Sequence, residues 1–180
     1  FLCDGTVGWI VKSDHTVTQI TDIDFPTPHV ASPTFIDGYV LVAKDSDVFN
    51  CDLDDPLSWA ADQYLSAEMF PDPVLALARQ NNQVVVLGES STEFFYDAAN
   101  AAGSPLSRND AGVIQFGIAA PHAIYQNEQF CAWVSQSASG GRAVWSLTGF
   151  KPNKISDEFI ERIIDAETNI TQITGYGFRT

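Results

Sequence analysis

Residues 84–96 read VVVLGESSTEFFY, two runs of β-branched and aromatic residues joined by a short polar turn. Residues of these types favour β-strands, and a turn this short makes the two strands an antiparallel hairpin. The pattern occurs twice more: YVLVA at 39–43 precedes VFNC at 48–51, and FCAWV at 130–134 precedes RAVWS at 142–146. The chain therefore predicts a series of β-hairpins.

These hairpins recur at a nearly constant interval. Their first strands begin at Tyr39, Val84 and Phe130, which are 45 and 46 residues apart. Ile20 and Ile155 lie in similar stretches near the two ends, and they are 135 residues apart, or three periods of 45. A period of roughly 40–50 residues with about four short strands per unit is typical of β-propeller blades. The alternative is a β-sandwich whose spacing is incidental.

We therefore expect an all-β fold, a β-propeller with about three complete four-stranded blades and two partial blades. The complete blades are placed at about 29–68, 74–116 and 120–156, the outer half of another at 6–21, and the start of the next at 170–178. Small residues before each hairpin would let inner strands approach closely. These small residues are Ala31, Ser32, Ala76, Ala78, Ala119, Ala120 and Ala123, with Gly175 and Gly177 at the same phase near the end.

The register leaves incomplete blades at both ends of the chain. They could join to close a four-bladed ring, or both could belong to a larger propeller, of which residues 1–180 form one part. Because the chain starts at Phe1 rather than at a methionine, we expect the larger propeller.

One segment, residues 156–165, predicts a helix. Ser156 suits the N-cap, and acidic residues at 157 and 158 suit the first turn. Apolar residues at helical spacing form one stripe: Phe159, Ile160, Ile163 and Ile164. We expect this stripe to pack on the propeller, in which case Ile163→Ala would cost about 2–4 kcal/mol. Residues 57–68 could form another helical turn, although their pattern is ambiguous.

Composition excludes several classes of protein. The chain has 9 Lys and Arg against 23 Asp and Glu, a net charge of −14, which opposes sequence-specific binding of nucleic acid. No apolar run approaches the roughly 20 residues of a membrane helix, so no membrane contact is expected. The cysteines, Cys3, Cys51 and Cys131, lack the spacing of a zinc site or a disulfide scaffold, and we expect all of them to be inert packing residues.

The candidates for chemistry are few, and each has a simpler interpretation. Asp52, Asp54 and Asp55 lack the glycine and distal glutamate of a calcium loop, which favours an acidic loop or strand-end turn. The remaining candidates are His15, His29 and His122, which have no partner at fixed spacing, the turn Gly88-Glu89-Ser90-Ser91, and the sequon Asn169-Ile170-Thr171. We therefore expect no catalytic residue, no cofactor and no metal site.

Aromatic residues at strand positions allow two interpretations. They could stack on a sugar or on single-stranded nucleic acid, or they could fill the space between blades, which we favour because each blade must bury its face on the next. These residues are Trp9, Trp133, Trp145, Phe94, Phe95 and Tyr96.

An ordered series of motifs between residues 33 and 164 resembles the packaged-DNA stabilisation protein of short-tailed phages, also called the tail hub or nozzle protein. The motifs are FIDGY at 35–39, DLDDPLSW at 52–59, SAE and PDP within 66–73, VVVLGESSTEFFYDA at 84–98, IAAPHAI at 118–124 and VWSLTGFKPNKIS at 144–156.

The resemblance implies a non-enzymatic virion protein, made in the bacterial cytoplasm and located in the phage tail. It implies a larger, six-bladed propeller whose copies form a ring, expected to be a hexamer, below the portal. The ring would close the portal channel and retain packaged DNA until ejection, with DNA passing through without specific binding. The implied partners are other copies of the chain and neighbouring tail proteins (portal adaptor, tail needle or tailspike). The alternative function is a glycan-binding adhesin or a glycosidase propeller.

Overall fold

A computed structural model describes residues 1–70, 72–127, 130–137 and 141–177. In that part of the chain the strands form antiparallel sheets that follow one another in sequence order. Sheet I contains β1 (Leu2–Cys3), β2 (Gly8–Val11) and β3 (Val17–Gln19). Sheet II contains β4 (Thr34–Ile36), β5 (Tyr39–Lys44), β6 (Asp47–Asp52) and β7 (Asp55–Ser66).

The next two sheets continue the same order. Sheet III contains β8 (Val74–Gln80), β9 (Gln83–Gly88), β10 (Thr92–Asp97) and β11 (Leu106–Arg108). Sheet IV contains β12 (Gly117–Ile118), β13 (Ile124–Gln126), β14 (Cys131–Gln136), β15 (Val144–Thr148) and β16 (Lys151–Lys154). β12 and β13 both pair with β14, so the first strand of this sheet is split into two pieces. The prediction of an all-β chain is confirmed.

Tight turns fix the register of the hairpins. Asp37 and Gly38 join β4 to β5 with φ of 46° and 96°, the left-handed pair that a two-residue hairpin turn requires. Asp45, Asp54 and Asn81 adopt φ of 54°, 58° and 53° in the turns that follow β5, β6 and β8. Asp and Asn tolerate this conformation better than other side-chain-bearing residues. Some of the aspartates that make the chain acidic are therefore explained by the backbone conformation of the turns.

Neighbouring sheets pack face to face, and β10 shows the arrangement in two residues. Phe94 and Phe95 are 1% and 0% exposed, although successive side chains of a strand point to opposite faces. Phe94 packs in the cluster shared with sheet IV, which includes Trp133, and Phe95 packs in the cluster shared with sheet II, which includes Leu41. Sheet III is thus buried on both faces, as the middle member of a stack.

The residues that face each other between the first strands of sheets III and IV are small: Ala76 and Ala78 of β8 share a cluster with Ala120 and Ala123 near β13. Farther along the sheets the same cluster contains large side chains, among them Phe94. Small residues on the inner side and large ones on the outer side give a wedge, the shape that radial packing of blades requires. The predicted alanines therefore share one cluster between the sheets, while their place on the inner strands of blades stays a prediction.

The predicted blade limits compare closely with the sheets. Sheets II and III lie within 29–68 and 74–116, whereas sheet IV begins at Gly117, before the predicted 120. Residues 57–68, whose sequence pattern also allowed a helical turn, belong mainly to strand β7. The division of the chain into blades stays a prediction.

The segment near the end differs from the prediction. Over residues 170–177 of the predicted strand 170–178 the structure has a 3-10 helix at Ile170–Gln172 and then an irregular chain; residue 178 lies outside the described residues. Gly175 lies against β13, where its N–H donates to the His122 carbonyl at 2.6 Å and a Cβ would overlap the Ile124 backbone. The close approach needs glycine, but one backbone hydrogen bond does not make a strand ladder.

The predicted helix is present, with corrected ends and a corrected orientation. α1 spans Glu158–Ala166, and its N-cap is Asp157, which accepts from the Ile160 N–H at 2.9 Å; Ser156 is therefore not the cap. The expectation that the apolar stripe packs on the sheets is wrong, because no residue of α1 is buried. Among the described residues, no helix is long and apolar enough to span a membrane.

We therefore expect Ile163→Ala to change the free energy of unfolding by less than about 0.5 kcal/mol, since Ile163 is 54% exposed. Ile36→Ala in β4 is the matched comparison: Ile36 is 0% exposed, and its truncation is expected to cost about 2–5 kcal/mol. Denaturant unfolding of both variants measures the difference. Equal losses would contradict the exposed orientation of α1.

Candidate functional site

The acidic group at the β6–β7 turn has a structural role. Asp52 accepts hydrogen bonds from the Ser58 hydroxyl at 2.7 Å and from the Gln63 amide at 2.8 Å, and these bonds lower the pKa of its carboxyl. Asp54 occupies the turn itself, and Asp55 accepts from the Leu57 N–H at 3.2 Å. Within the described ranges, no group of three or more His, Cys, Asp or Glu side chains could hold a metal ion.

The histidines lie on separate segments. His29 is buried edge-on against Phe25, its Nδ1 is 2.9 Å from the Pro26 carbonyl oxygen, and burial lowers the pKa of its ring. His15 adopts φ of 67° in the turn between β2 and β3. The His122 carbonyl accepts from Gly175. Each residue thus has its own local structural surroundings.

The thiols and the Gly88–Ser91 turn are also structural. Burial raises the pKa of the Cys51 thiol to about 11 and that of the Cys131 thiol to about 12, so both stay protonated at neutral pH, and the Cys51 Sγ accepts from the Val40 N–H at 3.1 Å. Asp72 accepts from the Ser90 and Ser91 N–H groups at 2.6 and 3.0 Å, and from the Ser91 hydroxyl at 2.8 Å. The Asp72 carboxylate holds this turn in place, and the two serines act as hydrogen-bond donors to it.

Most of the aromatic residues fill the space between sheets, as predicted. Trp133 is 1% exposed and donates its indole N–H to the Gly117 carbonyl at 3.2 Å. Trp145 packs on Phe116 with ring centroids 4.6 Å apart. Tyr96 is the more accessible member at 36% exposed. The buried aromatics are therefore unsuited to stacking on a ligand.

A buried ion pair that no pattern in the sequence indicates connects sheets II and III. Glu93 Oε2 lies 2.8 Å from Arg108 Nε, with side chains 2% and 24% exposed. Glu93 Oε1 accepts from the Met69 N–H at 3.0 Å, and Arg108 Nη2 donates to the Ser66 carbonyl at 2.8 Å. Burial raises the pKa of the Glu93 carboxyl, and Arg108 opposes that shift. The pair thus ties β10 and β11 to the end of β7.

The first strands of the sheets meet around Arg79. Its N–H donates to Gln126 Oε1 at 2.8 Å on one side, and its guanidinium donates to the Phe35 carbonyl at 3.4 Å on the other. These residues border an open cavity of about 900 Å³. Arg79 therefore links equivalent positions of sheets II, III and IV.

The described surface is strongly acidic. Among the described residues, exposed Asp and Glu outnumber exposed Lys and Arg by fifteen to four. Several of these carboxylates stand at hairpin turns, including Asp37, Asp45 and Asp54. A surface of this kind repels phosphate groups.

Stacked antiparallel sheets with this wedge-shaped packing point to a propeller, and a comparison with protein families agrees. Residues 2–175 match the phage stabilisation family, described as bacteriophage P22 Gp10, beta-propeller. The chain belongs to this family. The resemblance inferred from the ordered motifs and the β-propeller fold are both confirmed. Proteins of the phage stabilisation family are structural proteins of the phage that stabilise packaged DNA.

Solved structures add no further argument. The chain is similar to the N-terminal domain of Nup159 at 15% identity and a TM-score of 0.41, covering 76% of this chain and 33% of that one. A structure of an S. cerevisiae Dbp5 variant bound to Nup159, a Gle1 variant, IP6 and ADP gives 13% identity and a TM-score of 0.41, with the same coverage. The chain spans about a third of the length of these proteins. A comparison with curated proteins finds no match.

Proposed function

We propose that this chain is a propeller portion of the tail component that closes the portal channel and retains packaged DNA until ejection. The observation that carries the proposal is the family match over residues 2–175, which makes the chain part of a phage structural protein that stabilises DNA. In this proposal sheets II, III and IV are blades, and sheet I is the outer part of another. The protein assembles as a ring, a hexamer in our proposal, with neighbouring tail proteins in the virion.

The acidic surface supports retention by steric closure. A channel rich in Lys and Arg would release counterions from DNA, grip the duplex and slow its exit. A wall on which carboxylates dominate the exposed charge repels the duplex instead. Such a ring blocks DNA by its shape and lets it slide when the channel opens.

Retention is tested with DNA-filled phage heads prepared without the protein. These heads are expected to lose their DNA to an added nuclease, and addition of the purified full-length protein is expected to protect it. Heads that stay protected without the protein would contradict the proposed closure.

We expect the assembled ring to show no saturable binding of duplex DNA at about 50 mM salt, where phosphate attraction is strong. A matched variant carries Asp37→Asn, Asp45→Asn and Asp54→Asn, since Asn keeps the left-handed turns while removing charge. In a fluorescence titration at the same salt concentration, the variant is expected to show measurable affinity for duplex DNA, whereas the unsubstituted ring is expected to show none. Micromolar affinity of the unsubstituted ring that falls steeply with salt would show that it grips phosphates.

A further inference from the structure

Helix α1 presents three of the four residues of its apolar stripe to solvent, the reverse of an ordinary surface helix, and the fourth, Ile164, is half-buried. A surface helix normally turns such a stripe toward the core. In α1, Phe159, Ile160 and Ile163 are 69%, 40% and 54% exposed. The exposed residues lie within two turns and form one continuous face, which is unusual for a free surface.

The polar edge of the helix holds it in this orientation. Glu161 accepts from the Ser156 hydroxyl at 2.9 Å and pairs with Lys154, whose Nζ lies 2.9 Å from its Oε1. One turn later, Asp165 Oδ1 accepts from the Arg142 N–H at 3.0 Å. These contacts attach α1 to sheet IV and to the chain before β15. The exposed stripe is therefore a fixed feature of the fold.

The charge around the stripe indicates what kind of surface can cover it. Residues 157–167 contain five carboxylates and one arginine, Arg162, a net charge of −4. The terminal carbonyl groups of α1 carry partial negative charge, and no basic residue in the last turn offsets it. An anionic membrane and a nucleic acid would both be repelled. The complementary surface is apolar at its centre and basic at its border.

A second copy of the chain is poorly suited to supply that border. The exposed basic residues of the described part are Lys12, Lys151, Lys154 and Arg162. Lys154 already pairs with Glu161, and Arg162 lies 3.6 Å from Glu158 in its own helix. Charge complementarity thus favours a different protein.

We propose that α1 docks into an apolar groove, bordered by Lys and Arg, on a different protein of the virion. This inference rests on the proposed function, because that function places the chain, and therefore its partner, in the virion. Phe159 and Ile163 are one helical turn apart and form the centre of the contact, as in other helices that bind grooves. The surrounding carboxylates pair with the basic border and set the orientation.

Site-specific photocrosslinking tests the partner directly. The full-length protein is made with p-benzoylphenylalanine in place of Phe159, assembled into virions and irradiated, and the joined peptides are identified by mass spectrometry. We expect a peptide of a different virion protein with Lys or Arg beside the joined residue. A crosslink to another copy, a crosslink within the same polypeptide, or no crosslink would overturn the proposal.

A charge substitution tests the strength of the contact. Phe159→Glu is expected to lower incorporation into particles about tenfold or more, the effect of losing a central aromatic anchor. The control is Ile23→Glu, which places the same charge at a residue that is 95% exposed outside the helix, and incorporation is expected to be unchanged. Normal incorporation of Phe159→Glu would overturn docking and leave the proposed function intact. Loss of DNA from particles that hold the unsubstituted protein would instead contradict the proposed function.

Discussion

Arg108→Met is expected to lower the free energy of unfolding by about 3–5 kcal/mol at neutral pH, because it leaves a buried carboxylate without its cation. The Glu93 side chain is 2% exposed and lies 2.8 Å from Arg108. The Met69 N–H still donates to it at 3.0 Å, but one amide does not replace the lost charge. Methionine keeps much of the length and apolar stem of arginine, so the loss comes mainly from the charge, with a smaller part from the hydrogen bond to the Ser66 carbonyl.

The loss is expected to depend on pH. Burial raises the folded-state pKa of Glu93, and removing Arg108 raises it further. A carboxyl whose pKa is raised in the folded state contributes most to stability at pH values below its pKa in the unfolded state. That contribution to the free energy of unfolding is lost as the pH rises through its folded-state pKa. The cost of Arg108→Met is therefore largest near pH 8 and shrinks as pH falls toward about 4, the ordinary range of a glutamate.

Denaturant unfolding at both pH values measures the loss. The double variant with Glu93→Gln and Arg108→Met should recover much of it, since the buried charge is gone. The control is Lys154→Met, which breaks the more exposed pair with Glu161 and should cost no more than about 1 kcal/mol. A pH-independent loss in Arg108→Met would mean that packing, and not charge, is responsible.

The hairpins were predictable because their signal is local. Val84 to Leu87 and Thr92 to Tyr96 combine strand-forming residues with a short turn, and both runs lie in paired strands of the structure. The adjacent Phe94 and Phe95 are typical of a strand buried on both faces, and the neighbouring sheets bury both of them here. Sequence period and side-chain type together were sufficient for the architecture.

The orientation of α1 and the ion pair were not predictable in the same way. Periodicity shows that Phe159 and Ile163 share a face, but it does not show which surface covers that face. Two residues in a row can cap a helix, and here Ser156 donates to Glu161 while Asp157 takes the cap. Arg108 reaches Glu93 only because β11 pairs with β10 after an irregular connection, a register that no local pattern encodes.

The junction of sheets III and IV depends on backbone contact, and Gly117 is where that contact is tightest. Stacked sheets normally lie about 10 Å apart, with side chains between them. At Gly117 a Cβ would overlap the Gly88 carbonyl and the Glu89 backbone, so no side chain fits. The Gly117 carbonyl also accepts from the Trp133 indole, which links this contact to the core between the sheets. At this point the backbones of the two sheets meet directly.

Gly117→Ala is accordingly expected to cost about 3 kcal/mol or more, at the upper end of overpacking effects. The obstacle is backbone, which cannot move aside by changing a rotamer, so the two sheets must separate and part of the Phe94–Trp133 cluster must open. Gly149→Ala is the control: Gly149 has φ of 60° and open space around its Cβ position, so only the left-handed backbone penalty of about 1–2 kcal/mol applies. Denaturant unfolding compares the two variants. If Gly117→Ala costs less than Gly149→Ala, the sheets tolerate separation at this point, and the close inner contact does not set the wedge.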